Sequence, residues 1–409
     1  MNPVTAAPVL VTGATGFLAS HLIQQLLAKG YKVRATVRDL RLTGHVEHLF
    51  KFPESSTHLE LVEMDLLVPE TIEKAVTEGI EYVFHCASNH TLAVPEGKTV
   101  VSHLYDPAVK GTINMLKACS KIVSVKKFIM TSCIQALSDD FDNNKVYNEL
   151  DWNSLSTFAR NPYAYSKTCS EKAAWEFMEK AFDNNSSNNG GMRRMNTTNN
   201  YALSAQATTT EGETSFVNAE EDCYGVINRQ MRLITLLPGI MLGPHLGGKI
   251  NYSHRYLLIY LEARIRGVMN LYLPIADVRD VAACHILTME SYRAEGSRYC
   301  LTNKPVHMVN ILQTIHENFS DIKLPSRKLP DGLVKYMVAN ATGAQGEKQW
   351  TYYNVGRIPN ISCIKAKGLG MTLRPPVQTI VDTVRYLIDS DNVGNTVPNN
   401  EKAAGCTIM

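Results

Sequence analysis

Apolar positions along this chain recur with two alternating periods. Val9-Leu10-Val11 is a short unbroken apolar run, as expected of a strand buried on both faces. It enters a glycine-punctuated turn, Thr12-Gly13-Ala14-Thr15-Gly16-Phe17-Leu18-Ala19. From Phe17 to Lys29 the period becomes helical: Leu18, Leu22 and Leu26 share a face with Ile23 and Leu27, and Gly30 is placed to stop the helix. Tyr31 to Val37 then alternates, with Val33, Ala35 and Val37 opposing Lys32, Arg34 and Thr36. Strand, turn, helix and strand together occupy about thirty residues, the size of a βαβ crossover.

The same alternation continues. Strands are predicted at 59–64, 82–85, 127–132 and 233–237, and helices at 71–76, 108–120 and 165–181. Strands alternating with helices predict an α/β protein with a doubly wound parallel sheet, covered by helices on both faces. Two stretches break the pattern. From Asp183 to about residue 226 Asn, Ser, Thr and Gly dominate, and residues 184–200 hold seven Asn and no aliphatic residue beyond Met192 and Met195. Such a segment buries too little apolar surface to offset chain entropy, and it reads as a disordered surface insertion. The tail from Ser390 is polar and ends Cys406-Thr407-Ile408-Met409.

Composition narrows the function classes. Lys plus Arg number 41 against 39 Asp plus Glu, so a formal charge of +2 makes no electrostatic case for nucleic acid. The nine cysteines are scattered with no C-x-x-C pair, which argues against a metal framework and suits a reducing compartment. His45 and His48 have helical ligand spacing but lie in a polar stretch without a third ligand nearby, and read as solvated. Met1 to Pro8 carries no signal-peptide pattern, and no apolar run approaches a membrane span, so a cytoplasmic protein is expected.

The glycine turn carries the first chemistry. Gly13 permits the tight turn, and Gly16 lets the backbone approach a pyrophosphate favoured by the following helix N-terminus. Ala19 stands where many such motifs have a third glycine, and it is small enough for close helix–strand packing. Placed after a strand and before an amphipathic helix, this is the phosphate-binding turn of a Rossmann fold, with Thr12, Gly13, Thr15, Gly16, Phe17 and Leu18 as its residues. The next strand ends Val37-Arg38-Asp39, where an acid binds the 2′-hydroxyl of NAD and a base accommodates the 2′-phosphate of NADP. Arg38 comes first, with Arg41 close behind, and predicts NADP(H); the alternative gives the ribose to Asp39 and leaves Arg38 solvated. Asp65 and Leu66 follow a strand and suit an adenine contact, while Ala87 and Ser88 end another strand with residues small enough to lie along the cofactor. His85, just before them, reads as a packed core histidine.

The second constellation is Tyr163-Ala164-Tyr165-Ser166-Lys167. Tyr163 and Lys167 are four apart on a predicted helix and share a face. An ammonium beside a phenol favours the phenolate and lowers its pKa, suiting Tyr163 to act as general acid in carbonyl reduction. Tyr165 is out of register and reads as packing.

With both constellations in this order, the chain resembles the extended short-chain dehydrogenases/reductases, and most closely their dihydroflavonol-reductase-like group, which includes cinnamoyl-CoA reductases and methylglyoxal/isovaleraldehyde reductases. Val33 to Asp39 is similar to their second strand and Tyr163 to Phe177 to their catalytic helix. Pro238 to Pro244 resembles their cofactor-side loop, and Asp277-Val278-Arg279-Asp280-Val281 a later segment of their substrate lobe. The likeness covers roughly residues 8–182 and 230–388. It implies a dinucleotide-binding domain over 1–237, a smaller substrate-binding lobe over 238–389 that returns in part to the sheet, and a flexible tail over 390–409. It also implies hydride transfer between nicotinamide and a carbonyl carbon, with Tyr163 delivering the proton and Lys167 holding the nicotinamide ribose. The family's catalytic Ser or Thr falls by register on Cys133, in Thr131-Ser132-Cys133, so either activity is reduced, or Ser132 reaches in, or Cys133 suffices; Thr131 lines the cofactor. Tyr252, Tyr256, Leu257, Tyr260 and Leu261 are pocket-lining positions or ordinary helix packing.

The expected activity is NADPH-dependent reduction of an aldehyde or ketone. An NAD-linked hydroxysteroid or sterol dehydrogenase, and a cofactor-sensing protein that has lost catalysis, are the alternatives. Cys406-Thr407-Ile408-Met409 fits a prenylation signal, but only Lys402 lies nearby, so a lipid there would give weak membrane association.

Overall fold

Apolar strands alternating with amphipathic helices produce the central layer that the sequence predicts. The structure, a computed structural model, describes residues 8–89, 96–183, 228–340 and 345–390. Most of the asparagine-rich insertion and the tail bearing Cys406 lie outside the described residues.

The chain begins β1 (Val9–Val11), α1 (Phe17–Ala28), β2 (Val33–Val37), α2 (Ser55–His58), β3 (Leu59–Glu63), α3 (Pro69–Ala75) and β4 (Tyr82–His85). It continues through α4 (Asp106–Ser120), β5 (Lys127–Thr131), α5 (Pro162–Asp183), β6 (Arg232–Pro238) and β7 (Ile240–Leu242). Next come α6 (Arg255–Leu261), β8 (Tyr272–Leu273), β9 (Ile275–Asp277), α7 (Val278–Glu290) and β10 (Ser297–Leu301). The last elements are β11 (Val306–His307), α8 (Met308–Asn318), α9 (Asp331–Asn340), α10 (Gln345–Asn354), α11 (Ile364–Gly368) and α12 (Pro376–Asp389).

Seven strands pair in the order β10-β6-β5-β4-β1-β2-β3, every pair parallel. Chain order reverses between β1 and β4, so the loops leaving their carboxyl ends diverge and open a crevice there. Helices α1 and α7 cover one face around Leu22, Ile23, Leu26 and Val281. Helices α3, α4 and α5 cover the other around Ile72, Met115, Leu116 and Ala174.

A third apolar cluster runs from Leu237 to Leu387 and includes Tyr260, Leu271, Trp350 and Ile380. Ile134, Leu137, Phe141 and Tyr147 join it from between β5 and α5, so this core draws on chain from before the insertion. Two two-stranded sheets, β7 with β9 and β8 with β11, contribute Leu242, Leu273 and Ile275 to the same cluster. The hinge-like step from β6 to β7 is at Gly239, where any Cβ would overlap the Pro274 carbonyl and come within 2.8 Å of Thr302 Oγ1.

Helix α5 starts three residues before the predicted 165. Asn161 Oδ1 accepts from the Ala164 amide at 3.1 Å, and Pro162 is tolerated in the first turn because its missing N–H would have had no helical partner. Tyr163 is thereby held in the rigid first turn. Among the described residues no helix is long and apolar enough to cross a membrane, and no cluster of His, Cys, Asp and Glu is arranged to hold a metal ion.

Candidate active site

The glycine turn lies at the mouth of the crevice, stitched to both neighbouring strands. Gly13 and Ala14 amides donate to Thr36 Oγ1 and the Thr36 carbonyl at the end of β2, at 3.3 and 2.9 Å. Thr12 N donates to Phe84 O, and Ala87 N donates to Thr12 Oγ1 at 2.9 Å. Gly13 has φ +74°, and a Cβ there would meet Ala87 Cα at 3.0 Å, so only glycine lets the two loops approach this closely. Gly16 is the N-cap of α1, and among the described residues no side chain caps the first-turn amides. Phe17 and Leu18 turn their side chains into the interior, Phe17 against His21, His245 and His254, so what they offer a ligand is backbone N–H. Thr15 is half-buried at the tip of the turn.

These features fit a dinucleotide. Uncapped amides at a helix N-terminus suit a pyrophosphate. Ser88 Oγ is buried with no hydrogen-bond partner among the described residues, close to Ala87, Thr131 and Lys167, and it is a polar atom left for a ligand. Arg38 is exposed at the end of β2 and makes no ion pair with any described residue. Asp39, the competing ribose ligand, is held by Arg41 in a bidentate pair at 2.9 Å for both contacts, and that guanidinium keeps its carboxyl below the usual range. Asp65 is engaged locally: Oδ1 accepts from the Leu67 amide at 2.8 Å. Leu66 packs against α4, where a Cβ on Gly111 would come within 2.9 Å of it. Pro238 ends β6 and is buried, beside the β10 residue Leu301.

Tyr163, Lys167 and Cys133 come together at the carboxyl end of β5. Lys167 Nζ, almost fully buried, donates to the Thr131 carbonyl at 3.0 Å. Burial pulls the Lys167 pKa down, while Cys133, Glu171 and Cys86 pull it back up. The Tyr163 hydroxyl is in hydrogen-bond contact with the Cys133 thiol and has Tyr252 nearby. The sequence predicts an acidified phenol. Here burial raises the Tyr163 pKa well above its ordinary value, reinforced by Cys133, because the Lys167 ammonium is turned to a carbonyl and desolvation of the phenolate dominates. Burial also raises the Cys133 pKa, against opposing pulls from Lys167 and the Gln135 and Ala136 amides, so the sulfur carries its proton at neutral pH.

Ser132 is not free. Its hydroxyl donates at 2.6 Å to Glu171, which is fully buried. The Glu171 carboxylate also accepts from Thr235 Oγ1 at 2.7 Å and from Arg298 Nε and Nη2 at 2.8 and 3.2 Å. Arg298 lies 3.6 Å over the Trp152 ring and donates to the carbonyls of Glu149 and Asp151. Thr131 turns its hydroxyl to His285 Nε2 at 2.9 Å. The segment Asp277 to Val281 caps α7: Asp277 accepts from the Arg279 amide and is bound by Arg279 and Thr379, which ties α7 to α12. Glu171 was missed in the sequence, although Tyr163, Lys167 and Glu171 form one ladder of four-residue steps on α5.

A doubly wound sheet with a glycine turn at its switch point and a Tyr-x-x-x-Lys helix beside it defines a dinucleotide-dependent oxidoreductase fold. Residues 9–187 match the model of the NAD dependent epimerase/dehydratase family. It is 28% identical over 389 residues to cinnamoyl-CoA reductase CAD2 of Medicago truncatula, covering 93% of this chain and 95% of that one. It is 37% identical to dihydroflavonol 4-reductase of Arabidopsis thaliana over 177 residues, 42% of this chain and 45% of that one. Among solved structures it is similar to Gre2 of Candida albicans in complex with NADPH (TM-score 0.67, 25% identity, 94% of this chain and 99% of that one). The yeast methylglyoxal/isovaleraldehyde reductase Gre2 with NADPH shares the fold at TM-score 0.68 and 22% identity, with the same coverage.

Proposed function

We propose that this chain is an NADP(H)-dependent oxidoreductase that reduces an aldehyde or ketone to an alcohol, with Tyr163 as general acid. The observation that carries the reading is the meeting of Tyr163, Lys167 and Cys133 at the end of β5, near the Ser88 hydroxyl, which has no partner among the described residues. The reduced nicotinamide, when bound, supplies a hydride to the carbonyl carbon. The uncapped amides of α1 bind the pyrophosphate, Arg38 pairs with the 2′-phosphate, and the small residues Ala87 and Ser88 let the dinucleotide lie against β4. Tyr163 stays protonated at neutral pH and donates to the carbonyl oxygen as negative charge develops there. Lys167, whose ammonium is turned to the Thr131 carbonyl, holds the nicotinamide ribose. Cys133 takes the place of the family's hydroxyl as a donor beside Tyr163, since Ser132 is committed to Glu171.

Two measurements test the assignments. Arg38→Ala will lower kcat/KM for NADPH by about ten- to a hundredfold, the worth of one charge-assisted hydrogen bond, while leaving NADH kinetics near wild type. An unchanged NADPH preference contradicts the 2′-phosphate role and returns the ribose to Asp39. Cys133→Ser will raise kcat by roughly three- to tenfold, because a hydroxyl is a stronger donor than a thiol at the same site. A fall in kcat means the thiol does something a hydroxyl cannot.

A further inference from the structure

Between the glycine turn and the catalytic helix runs a buried chain of polar groups in which every proton can be placed. Ser170, three residues beyond Lys167 on α5, donates to the Ala108 carbonyl at 2.7 Å. Its one proton is spent there, so the contact of 2.9 Å to Thr112 is donated by Thr112 Oγ1. Thr112 must then accept from His85 Nε2, 3.1 Å away, which places the imidazole proton on Nε2. At the other end the Ala87 amide donates to Thr12 Oγ1 at 2.9 Å, and Thr12 is 3.2 Å from His85 Nδ1. A neutral ring protonated on Nε2 has Nδ1 bare to accept the Thr12 proton. The ring itself is fully enclosed, packed 5.5 Å from Phe128, and burial with Lys167 nearby lowers its pKa to about 3.

We infer that His85 is a positioning residue that couples the cofactor-side turn to the catalytic helix, through a one-directional hydrogen-bond chain from Ala87 and Thr12 to Thr112 and Ser170. Core packing alone calls for an apolar side chain at this position. An imidazole instead joins four elements: the end of β1, the end of β4, α4 and α5. One nitrogen sets Thr12, and with it the Ala87 loop that touches Gly13; the other sets Thr112 and hence α5 near Lys167. The inference rests on the reading of Tyr163 and Lys167 as the catalytic pair.

The two ends can be separated by substitution. In His85→Asn the side-chain oxygen reaches the place of Nδ1 and still accepts from Thr12, but nothing donates to Thr112. In His85→Gln the amide nitrogen reaches the place of Nε2 and still donates to Thr112, but Thr12 loses its acceptor. NADPH affinity, read by fluorescence titration, and kcat at saturating NADPH will therefore move apart. The Asn variant keeps its NADPH Kd and loses about tenfold in kcat, and the Gln variant keeps kcat and loses about tenfold in NADPH affinity, each change the worth of one hydrogen bond. Equal losses in both parameters for both variants, or no loss in either, overturn the coupling. Imidazole nitrogen NMR of the ligand-free wild type supplies a readout independent of turnover: His85 will show a proton on Nε2 alone from pH 5 to 8, and a proton on Nδ1 or a titration near 6.5 overturns it. If the wild type binds NADPH but reduces no carbonyl, the proposed function fails while the affinity arm and the NMR still judge His85.

Discussion

Tyr163→Phe will abolish carbonyl reduction while leaving NADPH binding intact, with kcat falling by about a hundred- to ten-thousandfold, the contribution of a positioned general acid. Phenylalanine keeps the ring and removes only the hydroxyl that meets Cys133. Helix α5 is capped by Asn161 and held by side chains on its other faces, so the fold does not depend on that hydroxyl. The same group sets a pH limit. Burial holds Tyr163 protonated well beyond the ordinary phenol range, so reduction will persist into alkaline solution and decline only as pH rises through that elevated value. Stopped-flow turnover with parallel NADPH titration checks both. Retained turnover in the Phe variant would move the proton donor to Cys133 or Tyr252.

The largest loss of stability is expected at a residue that touches no ligand. Glu171→Ala will destabilise the chain by about 3–5 kcal/mol, because it leaves the Arg298 guanidinium buried without its counter-charge. Burial alone would raise the Glu171 pKa, but Arg298, Ser132 and Thr235 outweigh it and hold the carboxyl below its usual range. A carboxyl with a depressed pKa contributes stability that is present above its unfolded value of about 4.3, and that contribution is lost as pH falls through the folded value. Denaturant unfolding at neutral and acid pH will therefore show the gap between wild type and Glu171→Ala narrowing as the carboxylate is protonated. Replacing Glu171 and Arg298 together by methionine will recover most of the loss, since an apolar pair of similar volume avoids the desolvation cost. An Ala variant as stable as wild type would mean that the ion pair does not hold α5 to β6 and β10.

What could be read from the sequence follows the range of the forces involved. The glycine turn and the Tyr163–Lys167 pair are set by spacing within one or two turns of chain, and the βαβ alternation by the local apolar period, so these were legible. Arg38 and Asp39 follow β2, as the strand pattern predicts, but the Asp39–Arg41 pair that ties up the carboxylate is not foreseen, because it depends on side-chain direction in an exposed turn. Ser132 and Cys133 could not be distinguished from the sequence. What separates them is Glu171, 39 residues from Ser132, and Arg298, 127 residues from Glu171. The third apolar cluster is the part of the structure that no local period shows. Its strands are two or three residues long, too short for a period, and its core borrows Ile134 to Tyr147 from before the insertion. The sequence reads His85 as core packing, and it is buried; its partners Thr12 and Thr112 lie 73 and 27 residues away, and no local pattern reports them.

The central claim is that hydride passes to a substrate carbonyl in the crevice where Tyr163 and Lys167 meet. It is tested most directly with NADPH dideuterated at nicotinamide C4, offered with a panel of aldehydes and ketones to the wild type and to Tyr163→Phe. The account predicts alcohol product carrying deuterium on the former carbonyl carbon, formed by the wild type and not by the variant. NADPH that stays bound and unoxidised across the panel, or alcohol without deuterium, would contradict it.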